Sequence, residues 1–186
     1  QLQVHYQPQV NLSTGQVVGV EALARWQHAE HGWVPPAEFI PIAEECRLID
    51  ELGRQVLWSA CRQLGHWAAA APGRPLSMTV NISPRQLDNP DFLRELRQII
   101  ERTGIAPTSL CLELTESALM NPRMDIVGTL EQARAMGVYV AIDDFGTEHS
   151  SLARLRDLPV EVLKIDKSFV DGLPAEAGDT AIVSSI

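Results

Sequence analysis

Leu76-Ser77-Met78-Thr79-Val80-Asn81-Ile82 puts Leu, Met, Val and Ile on one phase and Ser, Thr and Asn on the other. Side chains alternate faces along a strand, so this reads as a strand with one apolar and one polar face. The same division recurs in Leu110-Cys111-Leu112-Glu113-Leu114-Thr115, where Glu113 lies opposite the leucines. In Val138-Tyr139-Val140-Ala141-Ile142-Asp143, Asp143 ends the phase of Tyr139 and Ala141. Lys164 and Asp166 share a phase in Val162-Leu163-Lys164-Ile165-Asp166, and Glu21 falls near the end of Val17-Val18-Gly19-Val20-Glu21.

Helical patterns separate these runs. Leu2 to Gln7 and Gln16 to Trp26 predict an initial hairpin, joined through the turn cluster Asn11-Leu12-Ser13-Thr14-Gly15. After a loop from His28 to Pro36, helices are expected over Ala37–Ile49 and Glu51–Ala70, the second with Leu52, Val56, Leu57, Ala60, Leu64 and Trp67 on one face. Strands at Leu76–Ser83, Leu110–Ser117, Val138–Phe145 and Val160–Val170 then alternate with helices at Asp91–Thr103, Asp125–Met136 and Ser150–Leu158, and another helix starts at Thr180. Strands spaced by helices mean βαβ units and a mainly parallel sheet. Closure as a (β/α)8 barrel is the natural outcome. Such a barrel takes ~250 residues, and only six strands are counted here, so the domain is expected to continue past its last helix and to start abruptly.

A half-buried antiparallel sheet would explain one strand with a polar face. It does not explain five, because helices between parallel strands cover both faces of an open sheet. In a barrel the apolar phase packs under the helices and the polar phase points inward. Ionisable groups late in each strand then lie at the C-terminal rim, where such barrels hold their active sites.

Composition narrows the function. Of 186 residues, 45% are hydrophobic and 21% charged, and Asp and Glu outnumber Lys and Arg 24 to 15 for a net charge of −9, which excludes a general basic grip on a nucleic-acid polymer. It leaves room for a small phosphate ligand handled through metal ions. No apolar run reaches the ~18 residues of a membrane span and no signal peptide opens the chain, so no membrane contact is expected of this domain. Three cysteines, Cys46, Cys61 and Cys111, lack the spacing of a disulfide framework or metal site. We expect a reduced, cytoplasmic domain, whose parent protein is free to carry a membrane anchor elsewhere.

Glu21, Asn81, Glu113 and Asp143 are hard oxygen donors, and Asp144 adds a carboxylate beside Asp143. Such ligands suit Mg²⁺ or Mn²⁺. Adjacent Asp residues at a strand end can bridge two ions, which together clamp the attacking and leaving oxygens of a phosphodiester displacement. Lys164, among these acids, can orient the attacking water or neutralise phosphate charge; the bland reading is a buried ion pair, which that role does not exclude.

These blocks resemble the EAL-domain family, the cyclic di-GMP phosphodiesterases. The resemblance rests on Glu21-Ala22-Leu23, with Tyr6-Gln7-Pro8 before it and Arg25-Trp26 after it, then Pro36 with Phe39-Ile40-Pro41. Val80-Asn81-Ile82-Ser83, Glu113-Leu114-Thr115-Glu116, Asp143-Asp144-Phe145-Gly146 and Leu163-Lys164-Ile165-Asp166 follow in order. It implies a modified TIM barrel with an antiparallel first strand, here missing its last two strands. It implies hydrolysis of one phosphodiester bond of cyclic di-GMP, a bacterial second messenger linked to biofilms, to linear pGpG, with two Mg²⁺ or Mn²⁺ ions.

By the same resemblance, Glu21, Asn81, Glu113 and Asp143 hold the first ion, Asp143 bridges, and Asp144 holds the second. Lys164, Glu21 and Asp143 take catalytic roles. Gln7, Arg25, Pro36, Phe39 and Asp166 contact substrate, and Glu116 anchors the loop after Asp143-Asp144. A homodimer and linkage to sensory or GGDEF domains are also implied. Two departures stand out: the family's Ala-Glu-Gly-Val-Glu and Gln-Gly blocks are absent, and Glu148-His149 replace a usual Gly-Tyr. Both put activity in question, so a weak or inactive cyclic di-GMP receptor is the alternative.

Overall fold

The computed structural model describes residues 1–119, 126–146, 158–175 and 183. Strand β1 (Leu2–Val10) runs antiparallel to β2 (Val17–His28), with Gln7 opposite Glu21. Strand β3 (Gly32–Val34) folds back on the end of β2. Helices α1 (Pro36–Glu45) and α2 (Ile49–Ala70) lead to β4 (Ser77–Asn81), which pairs parallel with β2. Then come α3 (Pro84–Leu87), α4 (Phe92–Thr103), β5 (Leu110–Thr115), α5 (Glu116–Leu119) and α6 (Val127–Ala135). Strands β6 (Tyr139–Phe145) and β7 (Val162–Ile165) and helix α7 (Lys167–Asp171) follow. The sheet order is β1-β2-β4-β5-β6-β7, with β3 beside β2 and every pairing from β2 through β7 along that order parallel. This is the expected α/β architecture with an antiparallel first strand, present as a partial barrel.

The apolar phase makes the core, as its period requires. Met78, Val80, Leu110, Leu112, Leu114, Val140 and Ile142 are at most 1% exposed, under Leu96, Leu130 and the α2 face of Val56, Leu57, Ala60 and Leu64. Each large side chain so buried contributes about 1.5–3 kcal/mol.

Several elements differ from expectation. Pro8 does not end β1: it pairs opposite Val20 in a strand that borders the sheet, where a missing N–H costs no ladder bond. The first helix stops at Glu45, because Arg47 turns left-handed at φ 58° and Ile49 starts α2. The expected strand Val160–Val170 is only Val162–Ile165. Asp166 accepts a hydrogen bond from Ser168 N at 2.9 Å and so caps α7 where a strand was anticipated. The seventh strand, β3, was missed. The expected helix at Ser150–Leu158, apart from Leu158, and Glu148-His149 lie outside the described residues, as does nearly all of the helix starting at Thr180.

Candidate active site

Five strands deliver one polar group each to the same end of the sheet. Asn81, the last residue of β4, stands beside Glu113 of β5, and Glu21 of β2 is beside Thr79. Asn81 Nδ2 donates to Glu21 Oε1 at 2.9 Å. Lys164 Nζ donates to Glu21 Oε2 at 3.1 Å and to Glu113 Oε1, and lies 3.3 Å from Asp143 Oδ1. The polar phases of β2, β5 and β6 thus meet on the ammonium of β7, and β4 joins through the bond from Asn81 to Glu21.

Burial makes this cluster electrostatically tense. Glu113 is fully buried, and burial pushes its carboxyl up to about 8, with the nearby Asp143 carboxyl raising it further and Lys164 opposing. Burial works against the charge of Lys164 as well. The hydrogen bond to Glu113 and the charges of Glu113, Glu21 and Asp143 override it and hold the ammonium above its ordinary value. One lysine facing three acids leaves an excess of negative charge, and Glu113 Oε2 is buried with no hydrogen-bond partner. A buried oxygen left without a hydrogen-bond partner costs about 1–3 kcal/mol.

The backbone bends where β6 ends. Asp144 has φ 55° and Gly146 φ 101°. The left-handed region costs a non-glycine residue on the order of 1 kcal/mol, which marks Asp144 as held there by its surroundings. Gly146 N donates to Glu116 Oε2 at 3.1 Å, and Glu116 is only 2% exposed. Burial raises the carboxyl of Asp144, and the charges of Asp143 and Asp166 add to it.

A cavity of about 450 Å³ opens beside the cluster, lined by Glu21, Arg25, Pro36, Asn81 and Glu113 among others. Arg25 donates to the carbonyl of Ala24 at 2.9 Å, and among the described residues it makes no other side-chain hydrogen bond or ion pair, so its guanidinium is available to an anion. Phe39, expected as a substrate contact, is 5% exposed and packs edge-on against Trp26; it does not line the cavity. Gln7 sits opposite Glu21 on β1, and Asp166 caps α7, both outside the lining. Ile40, Glu44 and Ser83 do line it. Sequence reading missed these because they come from a helix and a loop, without the strand alternation that exposed the others. Ser83 Oγ donates to Glu44 Oε1 at 2.5 Å and fixes that wall.

Among the described residues no group of three or more His, Cys, Asp or Glu is assembled around a metal position. Glu21, Glu113 and Asp143 instead contact the ammonium of Lys164. The donors nevertheless suit a hard divalent cation: they are all oxygen, carry excess negative charge, and include the orphaned Glu113 Oε2.

A family model described as the EAL domain matches residues 1–186. The chain is 42% identical over its whole length to the bifunctional diguanylate cyclase/cyclic di-GMP phosphodiesterase MucR of Pseudomonas aeruginosa, covering 27% of it. It is 41% identical, again over its whole length, to the oxygen sensor protein DosP of Escherichia coli, covering 23% of it. The chain therefore spans about a quarter of the length of such relatives. The structure superposes on that of the PaMucR phosphodiesterase in complex with c-di-GMP with a TM-score of 0.90 at 42% identity, over all of this chain and 75% of the other.

Proposed function

The chain belongs to the EAL domain family, and from that premise we propose that it hydrolyses one phosphodiester bond of cyclic di-GMP to give linear pGpG. The observation that carries this reading is the meeting of Glu21, Asn81, Glu113 and Asp143 at one end of the sheet, beside a cavity that presents Arg25. Glu21, Asn81, Glu113 and Asp143 would hold a first Mg²⁺ or Mn²⁺, and Asp143 with Asp144 a second. Divalent ions there supply Lewis acidity and a bound water of lowered pKa.

The chain's own residues do the rest. Arg25 binds a phosphate through its guanidinium fork, and Gln7, Pro36 and Asp166 border the substrate. Lys164 is the one cation facing these carboxylates. It bonds Glu21 and Glu113, and from that position its charge would orient the attacking water or neutralise charge on the phosphate. The oxygen of water bonds to phosphorus, the P–O3′ bond breaks, and the product keeps its phosphate on the 5′ oxygen. Among the described residues no helix is long and apolar enough to cross a membrane. The much greater length of the relatives supports a role as one module of a longer protein; the same proposal makes that protein a cytoplasmic signalling homodimer with sensory or GGDEF domains attached.

The test is product analysis by chromatography after incubating the full-length protein with cyclic di-GMP in Mn²⁺ or in EDTA. pGpG in Mn²⁺ and none in EDTA is the expected result. Binding without product would replace the enzyme reading with that of a receptor.

A further inference from the structure

Pairing between β6 and β7 is interrupted where the acids lie. Ile142 pairs with Leu163 and Phe145 with Ile165, so Asp143 and Asp144 together face the single residue Lys164. Two residues opposite one is a bulge, which the ladder does not hold in place. Lys164 reaches Asp143 Oδ1 at 3.3 Å across the bulge, and the backbone that follows Asp144 needs a contact of its own to keep that register.

That role falls to the ring of Phe169. A Cβ on Gly146 would stand 2.9 Å from Phe169 Cε2 and 3.4 Å from Cζ, so the ring lies flush on the glycine backbone, where no side chain fits. Gly146 N meanwhile donates to Glu116. The residue two positions after Asp144 is therefore held by a hydrogen bond from α5 and an aromatic ring from α7. The ring is itself placed by the start of α7: Asp166 accepts from Ser168 N at 2.9 Å, and Phe169 N donates to Asp166 O at 3.1 Å. Asp166 N in turn reaches Phe145 O at 3.4 Å.

We propose that Phe169 is a positioning residue that acts through Gly146 to keep Asp143 and Asp144 in register with Lys164. It touches no reacting atom. The inference rests on the metal-dependent phosphodiesterase reading for its functional consequence, but the contact itself can be tested apart from that reading.

The experiment combines a thermal double-mutant cycle with metal binding and kinetics in the full-length protein. Phe169→Ala is expected to keep its circular dichroism, to bind Mn²⁺ about tenfold more weakly by calorimetry and to lose about tenfold in kcat, with KM for cyclic di-GMP changed less than about twofold, since misplaced groups cost rate more than binding. Phe169→Leu, which keeps apolar volume without the flat face, should fall between and serves as the readout if the alanine variant does not fold. Parent-like Mn²⁺ affinity and kcat in a folded variant would overturn the proposal. Gly146→Ala should lower the unfolding midpoint more in the Phe169 parent than in the Phe169→Ala background; additive shifts would overturn the contact. Should the parent neither bind Mn²⁺ nor cleave cyclic di-GMP, the proposed function fails while the thermal cycle still decides the clamp.

Discussion

Lys164 Nζ lies 3.1 Å from Glu21 Oε2, although 143 residues separate the two in sequence. The contact joins β7 to β2 across the inner face of the sheet and ties in Glu113 and Asp143 on the way. It is a structural ion-pair network, and under the proposed function the same acids would also hold a divalent cation.

Removing the ammonium should separate the two roles. Lys164→Met leaves Glu21, Glu113 and Asp143 facing one another, and we expect a loss of roughly 1–3 kcal/mol of stability, below the range for a fully buried pair because the lysine side chain is 27% exposed. Mn²⁺ should restore much of the unfolding midpoint, since it replaces the missing cation. Differential scanning calorimetry with and without Mn²⁺ checks this; a variant destabilised equally in both would mean that the acids do not accept the metal.

Arg25 gives a test of substrate recognition. Arg25→Ala should weaken cyclic di-GMP binding by roughly 1.5–3 kcal/mol, as expected for a hydrogen bond to a charged group, with the fold unchanged. Titration calorimetry reads it, and parent affinity would leave Arg25 with only its bond to the Ala24 carbonyl.

The thiols predict an alkaline limit. Burial pushes both Cys61 and Cys111 up to about 12, whereas Cys46 is exposed. A thiol-specific reagent at pH 8 should therefore label Cys46 in the native state and reach the other two only after unfolding. The folded pKa values lie above the ordinary 9.0. The folded state then keeps thiol protons that the unfolded chain gives up, and stability falls as pH rises from 9 towards 12. Each thiol steepens that fall by up to about 1.4 kcal/mol per pH unit. Cys61→Ala with Cys111→Ala should flatten the alkaline limb of a midpoint-against-pH plot; an unchanged limb would contradict the assignment.

The strand alternation made most of this site readable. Glu21, Asn81, Glu113, Asp143 and Lys164 stand out from sequence because a polar residue on an otherwise buried strand has few structural excuses, and the fold brings those five together. What stayed hidden depends on tertiary contacts. The three-residue strand β3 is too short to show a period, and Asp166 reads as one more strand residue until its side chain caps α7. Phe39 is placed by a tertiary contact too, its ring edge-on to Trp26. Glu44 and Ser83 reach the cavity only because α1 packs over the loop that follows β4.

The central claim is that the buried carboxylates gather to hold a divalent cation for phosphodiester hydrolysis. Its most direct test is Mn²⁺-dependent cleavage of cyclic di-GMP by the full-length protein against its Glu113→Gln variant, with thermal unfolding as the control for folding. Glu113 carries the orphaned Oε2, and the amide is isosteric but uncharged. Loss of cleavage at a retained unfolding midpoint is the result predicted here, and unchanged turnover in the variant would contradict it.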